Sequence, residues 1–527
     1  MDKKVQGKMK KKRKSRAFNP RYESPLQLGL GGGFETPFSK ALNPRNRWVV
    51  LAGFIPWDEI CSQCRQQLCN TGAGRPALNP RIVIGSLIIK YMLNLDDRET
   101  VTQISENVYM QYFLGYSSFI DEEPFDASLF VDFRKMLGMD TINAINEKIV
   151  KIKTRIEDKR KGEETETDSS RNSGSQAEES KPESEGIGHK GRVIIDATAC
   201  PQNIAYPTDL NLLSDAREKA EELIDGIYLK SLHGNKPRTY RREARKYYLQ
   251  TAQKKNRTKK SIRKAVGKQL RYLNRDIGIL HHLLDSYERL PFNKHQLKYF
   301  YVIQTVYEQQ REMYNSRVHT VSYRIVSIHQ PHVRPIVRGK EQAKVEFGSK
   351  INVSLIDGIS FIDELSWEAF NEGSRLQSYV EQFRRRFGCY PREVLVDKIY
   401  CTRENRSWLK EKGILLRAKP LGRPSAVLFH VSPGERNPIE GKFGQGKTAY
   451  GLNRIKARLK ETSESWIAGI FMVLNLVKLA EVALPCLIQK IRLNLTAWRR
   501  RIAVNWESEF MCVFSGGNSL GSYQLTA

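Results

Sequence analysis

Apolar residues recur at helical spacing from about Asn46 to Lys151. The stretches PRIVIGSLIIKYMLNL, RETVTQISENVYMQYFLG and SLFVDFRKMLG each place apolar side chains three and four apart. That is the period of one face of a helix. A set of short helices of this kind predicts a small helical domain of helix-turn-helix character. After residue 190 the pattern changes. VIID and VLVD are short continuous apolar runs, as in strands covered on both faces. YRIVSIHQ reads as a strand, and so do the two halves of SKINVSLIDGISFIDEL, where Asp357-Gly358 marks a hairpin turn. SRLQSYVEQFRRRFG carries Leu376, Tyr379, Val380, Phe383 and Phe387 at helical spacing, RENRSWLKEKG predicts a helix ending at Gly413, and ILLRAKP another strand. From Arg192 the predicted order is strand, helical insertion, three strands, helix, strand, helix, strand and then helices, which is an α/β domain.

Between these units the composition shifts. Residues 1–22 open as a lysine-rich arm that cannot pack a core, and residues 157–190 are acidic, rich in Ser and Gly and nearly free of apolar side chains, as in a flexible linker. The predicted units are a basic disordered arm (1–22), a helical domain (23–156), the acidic linker (157–190), an α/β domain (191–490) with a helical insertion at about 211–318, and a C-terminal tail (491–527). The most apolar run, WIAGIFMVLNLVKLAEVAL, is broken by Asn475, Lys478 and Glu481. Its uncharged part is too short for a bilayer, so it reads as a core helix, and the chain is expected to be soluble with no membrane partner.

Charge sharpens the picture. The 527 residues hold 87 Lys and Arg against 58 Asp and Glu, a formal net charge of +29. Such a balance points to a polyanion, nucleic acid before any acidic membrane. Fifteen of the cations lie between Lys236 and Arg271, with Glu243 as the one acid and Tyr240, Tyr247 and Tyr248 interleaved. A cationic face with aromatics suits a surface that tracks a nucleic-acid backbone, and a solvated helical hairpin is the plain alternative. Arg241, Arg242, Arg245 and Lys246 form its densest cluster. The eight cysteines suggest no disulfide framework. Cys61, Cys64 and Cys69 have no fourth Cys or His near them. A structural zinc site needs four ligands, so they read as part of a helix.

The candidate chemistry begins with Asp196 and Asp397, each closing a buried apolar strand. Carboxylates at the carboxyl ends of such strands sit where α/β sheets build their sites, although either could simply cap a turn. If the strands are neighbours, both carboxylates reach one divalent ion, and hard oxygen ligands suit Mg²⁺ or Mn²⁺ and phosphoryl transfer. The segment GKFGQGKT (441–448) matches the spacing of a phosphate-binding P-loop. Yet no buried strand precedes it, Glu440 would face the phosphates, and no Asp follows for a metal, so that reading fails and ATP is not expected as a ligand. Read instead from Arg436, the spacing R-x3-E-x6-K places Glu440 and Lys447 on one side of a helix two turns apart. A third carboxylate beside a cation would complete a metal site. Alternatively Asn437 caps the helix, Pro438 opens it and Glu440 closes a capping box.

At this point the chain resembles the DDE transposases of bacterial insertion sequences. The resemblance runs through FIPWDEI, GRPALNPRIVIGSLIIKYMLNLDDRETVTQISENVYMQYFLG, FDASLFVDFRKMLG, VIIDATACPQNIAYPTDLNLLSDAREKAEELID, HQPHVRPIVRGK, VEFGSKINVSLIDG, VLVDKIYCTRENR and the Arg436-Glu440-Lys447 motif. It implies a ribonuclease-H-like mixed sheet with a helical insertion, preceded by a helical N-terminal DNA-binding domain. Asp196, Asp397 and Glu440 are then the catalytic, metal-holding triad, with Arg436 and Lys447 as companions on the substrate. Where the family motif usually has a tyrosine, this chain has Pro433. The resemblance further implies two Mg²⁺ (or Mn²⁺) ions, cleavage at the element end, and transfer of the freed 3′-OH to target DNA. The implied partners are double-stranded DNA and further copies of the chain on that DNA, in the bacterial cytoplasm at the nucleoid. A nuclease of the same fold without strand transfer, or a non-catalytic DNA-binding protein, are the competing expectations.

Overall fold

In a computed structural model of the chain, residues 41–68, 78–151, 189–337, 345–418 and 433–480 are described. The expected basic arm and C-terminal tail fall outside them, as does all of the acidic linker except residues 189–190. The chain opens on helices α1 (Arg47–Phe54), α2 (Trp57–Leu68), α3 (Pro80–Leu93), α4 (Asp97–Glu106), α5 (Val108–Phe113) and α6 (Leu129–Met136), and α7 covers 139–151. Local chemistry sets their starts. Asn79 accepts a bond from the Arg81 N–H with Pro80 in the first turn, and Asn46 and Asp96 cap α1 and α4 in the same way.

Strand β1 (Arg192–Pro201) begins the α/β part. Five helices follow it: α8 (Asp209–Ile227), α9 (Lys230–His233), α10 (Arg241–Ala252), α11 (Lys259–Leu284) and α12 (Lys294–Ser316). They bury an apolar core of their own, built from residues such as Leu213, Ile224, Leu273, Leu280 and Ile303. Then come β2 (Arg334–Val337), β3 (Val345–Ile356), β4 (Ile359–Ser366), α13 (Leu376–Phe387), β5 (Glu393–Leu395), α14 (Arg403–Glu411), β6 (Leu415–Arg417), α15 (Asn437–Ala449) and α16 (Lys460–Ala480).

One mixed sheet results, in the order β2-β3-β1-β5-β6, with β4 also paired to β3. β3 runs antiparallel to β1, β2 and β4, whereas β5 and β6 run parallel to β1. The β3–β4 hairpin turns at Asp357 (φ 48°) and Gly358 (φ 82°), the two positive dihedrals that a tight two-residue turn needs.

Three expected strands differ. β1 does not close at Asp196, which pairs with Val353 of β3 in mid-strand, but runs on to Pro201. YRIVSIHQ is not a strand, because Tyr323 is left-handed (φ 54°) and the Gln309 side chain takes up backbone groups a neighbour would have used. Its amide donates to the Tyr323 carbonyl at 3.2 Å and its oxygen accepts from the Ile325 N–H at 3.0 Å. Its place in the order is taken by β2, which starts at Arg334. β5 is shorter than VLVD suggests: it stops at Leu395, and Asp397 caps the single 3-10 turn Lys398–Tyr400.

The helix read as a core element is one. α16 lies between the N-terminal helices and the sheet, and all three share one hydrophobic cluster. Asn475 accepts from the Ser360 N–H on β4 at 2.9 Å and donates to Asn146 on α7 at 3.1 Å. Ser465 donates to the Leu137 carbonyl at 2.7 Å. A Cβ at Gly469 would come within 2.4 Å of the Tyr91 ring, so glycine is what lets α16 approach α3 this closely.

Candidate active site

β1 and β5 are direct neighbours in parallel register, with Ile194 opposite Leu395. Asp196 lies two residues further along β1, and Asp397 two residues past the end of β5. What joins them is Arg436. Its guanidinium lies 3.1 Å from an Asp196 oxygen through Nη2 and 3.1 Å from an Asp397 oxygen through Nη1. The Asp196 side chain is 18% exposed and the Asp397 side chain 50%. Burial pushes the Asp196 carboxyl up to about 6. Arg436 and the Ala197 N–H, which donates to it at 2.9 Å, pull the other way, and the carboxylates of Glu372 and Asp397 add to the rise.

Arg436 is itself held in place. It ends the 3-10 turn Pro433–Arg436 that leads into α15. Glu435 in that turn accepts from Arg192 at 2.7 Å and lies 3.5 Å from Arg417, which in turn pairs with Glu393 at 3.1 Å. Arg192 and Asp196 are four residues apart on β1, hence on one face of the sheet. The same turn therefore grips the strand twice.

α15 packs against β1 with Ile439, Phe443 and Gly446 buried. A Cβ at Gly446 would meet Leu452 at 3.2 Å, so this glycine belongs to a tight contact. The residues of the P-loop-like spacing lie inside α15, with their amides committed to helical bonds rather than turned toward a ligand. The helix does carry both Glu440, exposed, and Lys447, half-buried. Asn437 is not its cap. Arg436 occupies that position without a side-chain capping bond, so the alternative capping box does not form.

Asp196, Asp397 and Arg436 are thus brought together, and Glu440 lies one turn beyond them on α15. Among the described residues no three Asp, Glu, His or Cys side chains are gathered around one metal position. The two aspartates alone offer hard oxygen donors on either side of a cation, which fits a divalent ion at that place. The basic cluster lies elsewhere, on α10 of the insertion. Arg242, Arg245 and Lys246 are exposed there, while Arg241 makes a two-pronged pair with Asp225 at 2.8 and 2.9 Å. Glu435 and Glu372 escaped sequence reasoning. Their partners are remote in the chain, Arg192 being 243 positions from Glu435, and no local pattern marks either residue.

Comparisons with known proteins match two segments of the chain. Residues 37–136 match the family described as "Transposase domain (DUF772)", and residues 394–477, which include Asp397, Arg436, Glu440 and Lys447, match "Transposase DDE domain". A curated relative from Rhizobium meliloti, "Uncharacterized protein ORF8 in nfe locus", is 31% identical over 182 residues, 34% of this chain and 73% of that protein. No solved structure matches the chain. Two transposase matches, one on the N-terminal helices and one on the segment from β5 to α16, place the chain in the DDE-type insertion-sequence transposases, which act in transposition and DNA recombination.

Proposed function

We propose that this transposase binds the ends of its insertion sequence and catalyses metal-dependent cleavage and strand transfer at a site formed by Asp196, Asp397 and Glu440. The observation that carries the reading is the pair of aspartates, one on β1 and one just past the end of the neighbouring parallel strand β5, bridged by one guanidinium. The sheet order, an antiparallel group followed by two strands parallel to β1, supports a ribonuclease-H-like catalytic domain. Asp196, Asp397 and Glu440 would hold the Mg²⁺ or Mn²⁺ ions, two in number by the resemblance to the family. When bound, such ions polarise a phosphoryl oxygen and make water or a 3′-OH a better nucleophile.

The chain's own residues position the DNA. Arg436 offers two parallel donors, the geometry that suits a phosphate as well as a carboxylate. Lys447, two turns after Glu440, adds a further cation on the same side of α15. Arg241, Arg242, Arg245 and Lys246 contact backbone phosphates, and the helical region between Ala77 and Gly138 reads the element ends as a DNA-binding domain. The chain works on double-stranded DNA as a homo-oligomer, without ATP, in the bacterial cytoplasm at the nucleoid.

The test is incubation with DNA carrying the element's own ends and Mg²⁺. Wild type is expected to cut at the ends, whereas Asp196→Asn and Asp397→Asn lose cutting and keep their gel-shift affinity, because the change removes metal-binding charge and no basic surface. Full cleavage by either variant would overturn the assignment.

A further inference from the structure

The insertion holds one aromatic residue in an uncommon state. Tyr240 sits at the start of α10 with φ 55°, in the left-handed region that a bulky side chain rarely adopts. The residue is 44% exposed. The Arg275 guanidinium lies 4.6 Å from the ring centroid and that of Arg238 5.3 Å. Residues 236–243 line a cleft of about 520 Å³, and Arg238, Arg241 and Arg242 contribute to its walls.

The loop bearing this ring is firmly built. Asp225 holds it at both ends, pairing with Lys236 at 2.7 Å and with Arg241 at 2.8 Å. The Tyr228 hydroxyl donates to the Gly234 carbonyl at 2.6 Å, and Thr239 beside the tyrosine is buried. A backbone pinned in this way can keep a residue in a strained conformation, and strain of that kind concentrates at binding sites. Glycine would take the same dihedral without cost.

We propose that Tyr240 is a stacking platform for an unpaired nucleobase, with Arg238 and Arg275 as flanking planes and Arg242 on the adjoining phosphate. Unstacked bases are received on aromatic rings and guanidinium planes, and every base presents a suitable face. A base pair inside a duplex presents only its edges. The platform therefore engages a DNA strand that has opened, and it distinguishes this cleft from a surface that meets only duplex phosphates. The inference rests on the reading of the chain as a DNA-processing transposase.

The experiment compares full-length wild type with Tyr240→Gly and Tyr240→Phe. The ligands are a single-stranded oligonucleotide containing 2-aminopurine and the matching duplex. Tyr240→Gly removes the ring and the strain together, so its melting temperature is expected at or above that of wild type and folding cannot explain a loss. Affinity for the single strand should fall about tenfold, within the range that removal of one stacked base gives. Duplex affinity should change less than about twofold on the same scale. Tyr240→Phe should keep both affinities and the 2-aminopurine quenching. Unchanged single-strand affinity in Tyr240→Gly, or equal losses on both ligands, overturns the platform while leaving the transposase reading intact. Wild type that binds neither ligand overturns both.

Discussion

Arg436 keeps two carboxylates in one place that would otherwise repel each other. Like charges about 4 Å apart cost on the order of 4 kcal/mol at an intermediate dielectric. The consequence depends on pH. Asp196 is raised to about 6, burial outweighing the arginine, so stability falls as pH climbs from about 4 to about 6 and the cost of ionising it is complete above that value. Arg436 offsets that cost only where Asp196 is ionised. In the metal-free protein, Arg436→Met should therefore lower unfolding free energy by about 2 kcal/mol at pH 8, and by less than half of that at pH 5. Urea denaturation at the two pH values checks the difference, and a pH-independent loss would mean the arginine acts through packing alone.

At the scale of the element, the insertion helices carry a buried carboxyl that the proposed chemistry does not use. Asp276 on α11 is fully buried, and neither of its carboxyl oxygens has a hydrogen-bond partner among the described residues. Burial, with help from Glu221, pushes its carboxyl up to about 8, against the pull of Arg217, Arg275 and Arg241. The folded protein then holds a proton that the unfolded chain releases near pH 4. Stability is thus fully present below about pH 4 and lost as pH rises toward 8, with a slope of up to about 1.4 kcal/mol per pH unit from this group. Asp276→Asn should flatten that slope and raise the melting temperature at pH 8. An unchanged pH profile in the variant would show that the carboxyl is ionised in the fold.

The whole molecule combines a net charge of +29 with one core shared by the N-terminal helices, α16 and the sheet and a second inside the insertion. The charge governs how it meets DNA. Each phosphate neutralised on duplex DNA adds about −0.9 to the log–log slope of affinity against salt. Replacing Arg241, Arg242, Arg245 and Lys246 together with Ala should remove several of these contacts and flatten the slope equally on element ends and unrelated DNA, since phosphate contacts do not read sequence. Because Arg241 is already paired with Asp225, restoring Arg241 alone should recover the least of the four. Filter-binding across a salt series measures this. Wild-type affinity and slope in the quadruple variant would mark the cluster as a solvated face of the insertion.

How much of this was legible in the chain follows from the range of the forces involved. The apolar run VIID, the Asp357-Gly358 turn, the helical period of α13 and the core character of α16 are written locally, because side-chain period and turn dihedrals act over a few residues. The order of strands and helices after Arg192 was readable for the same reason, but not the place of the carboxylates: β1 continues past Asp196 to Pro201, and Asp397 lies beyond the end of β5. Local pattern failed where a distant group intervened. YRIVSIHQ has strand composition, but Gln309 from α12 claims its backbone. The three glycines of α15 argue against a helix in isolation, yet contact with β1 and Leu452 holds one there. Tertiary structure alone decided that one arginine spans both aspartates, that Glu435 ties its turn to Arg192, and that the N-terminal helices share a core with the sheet. Those contacts join positions tens to hundreds of residues apart, and only the folded chain brings them within the few ångströms over which hydrogen bonds and close packing act.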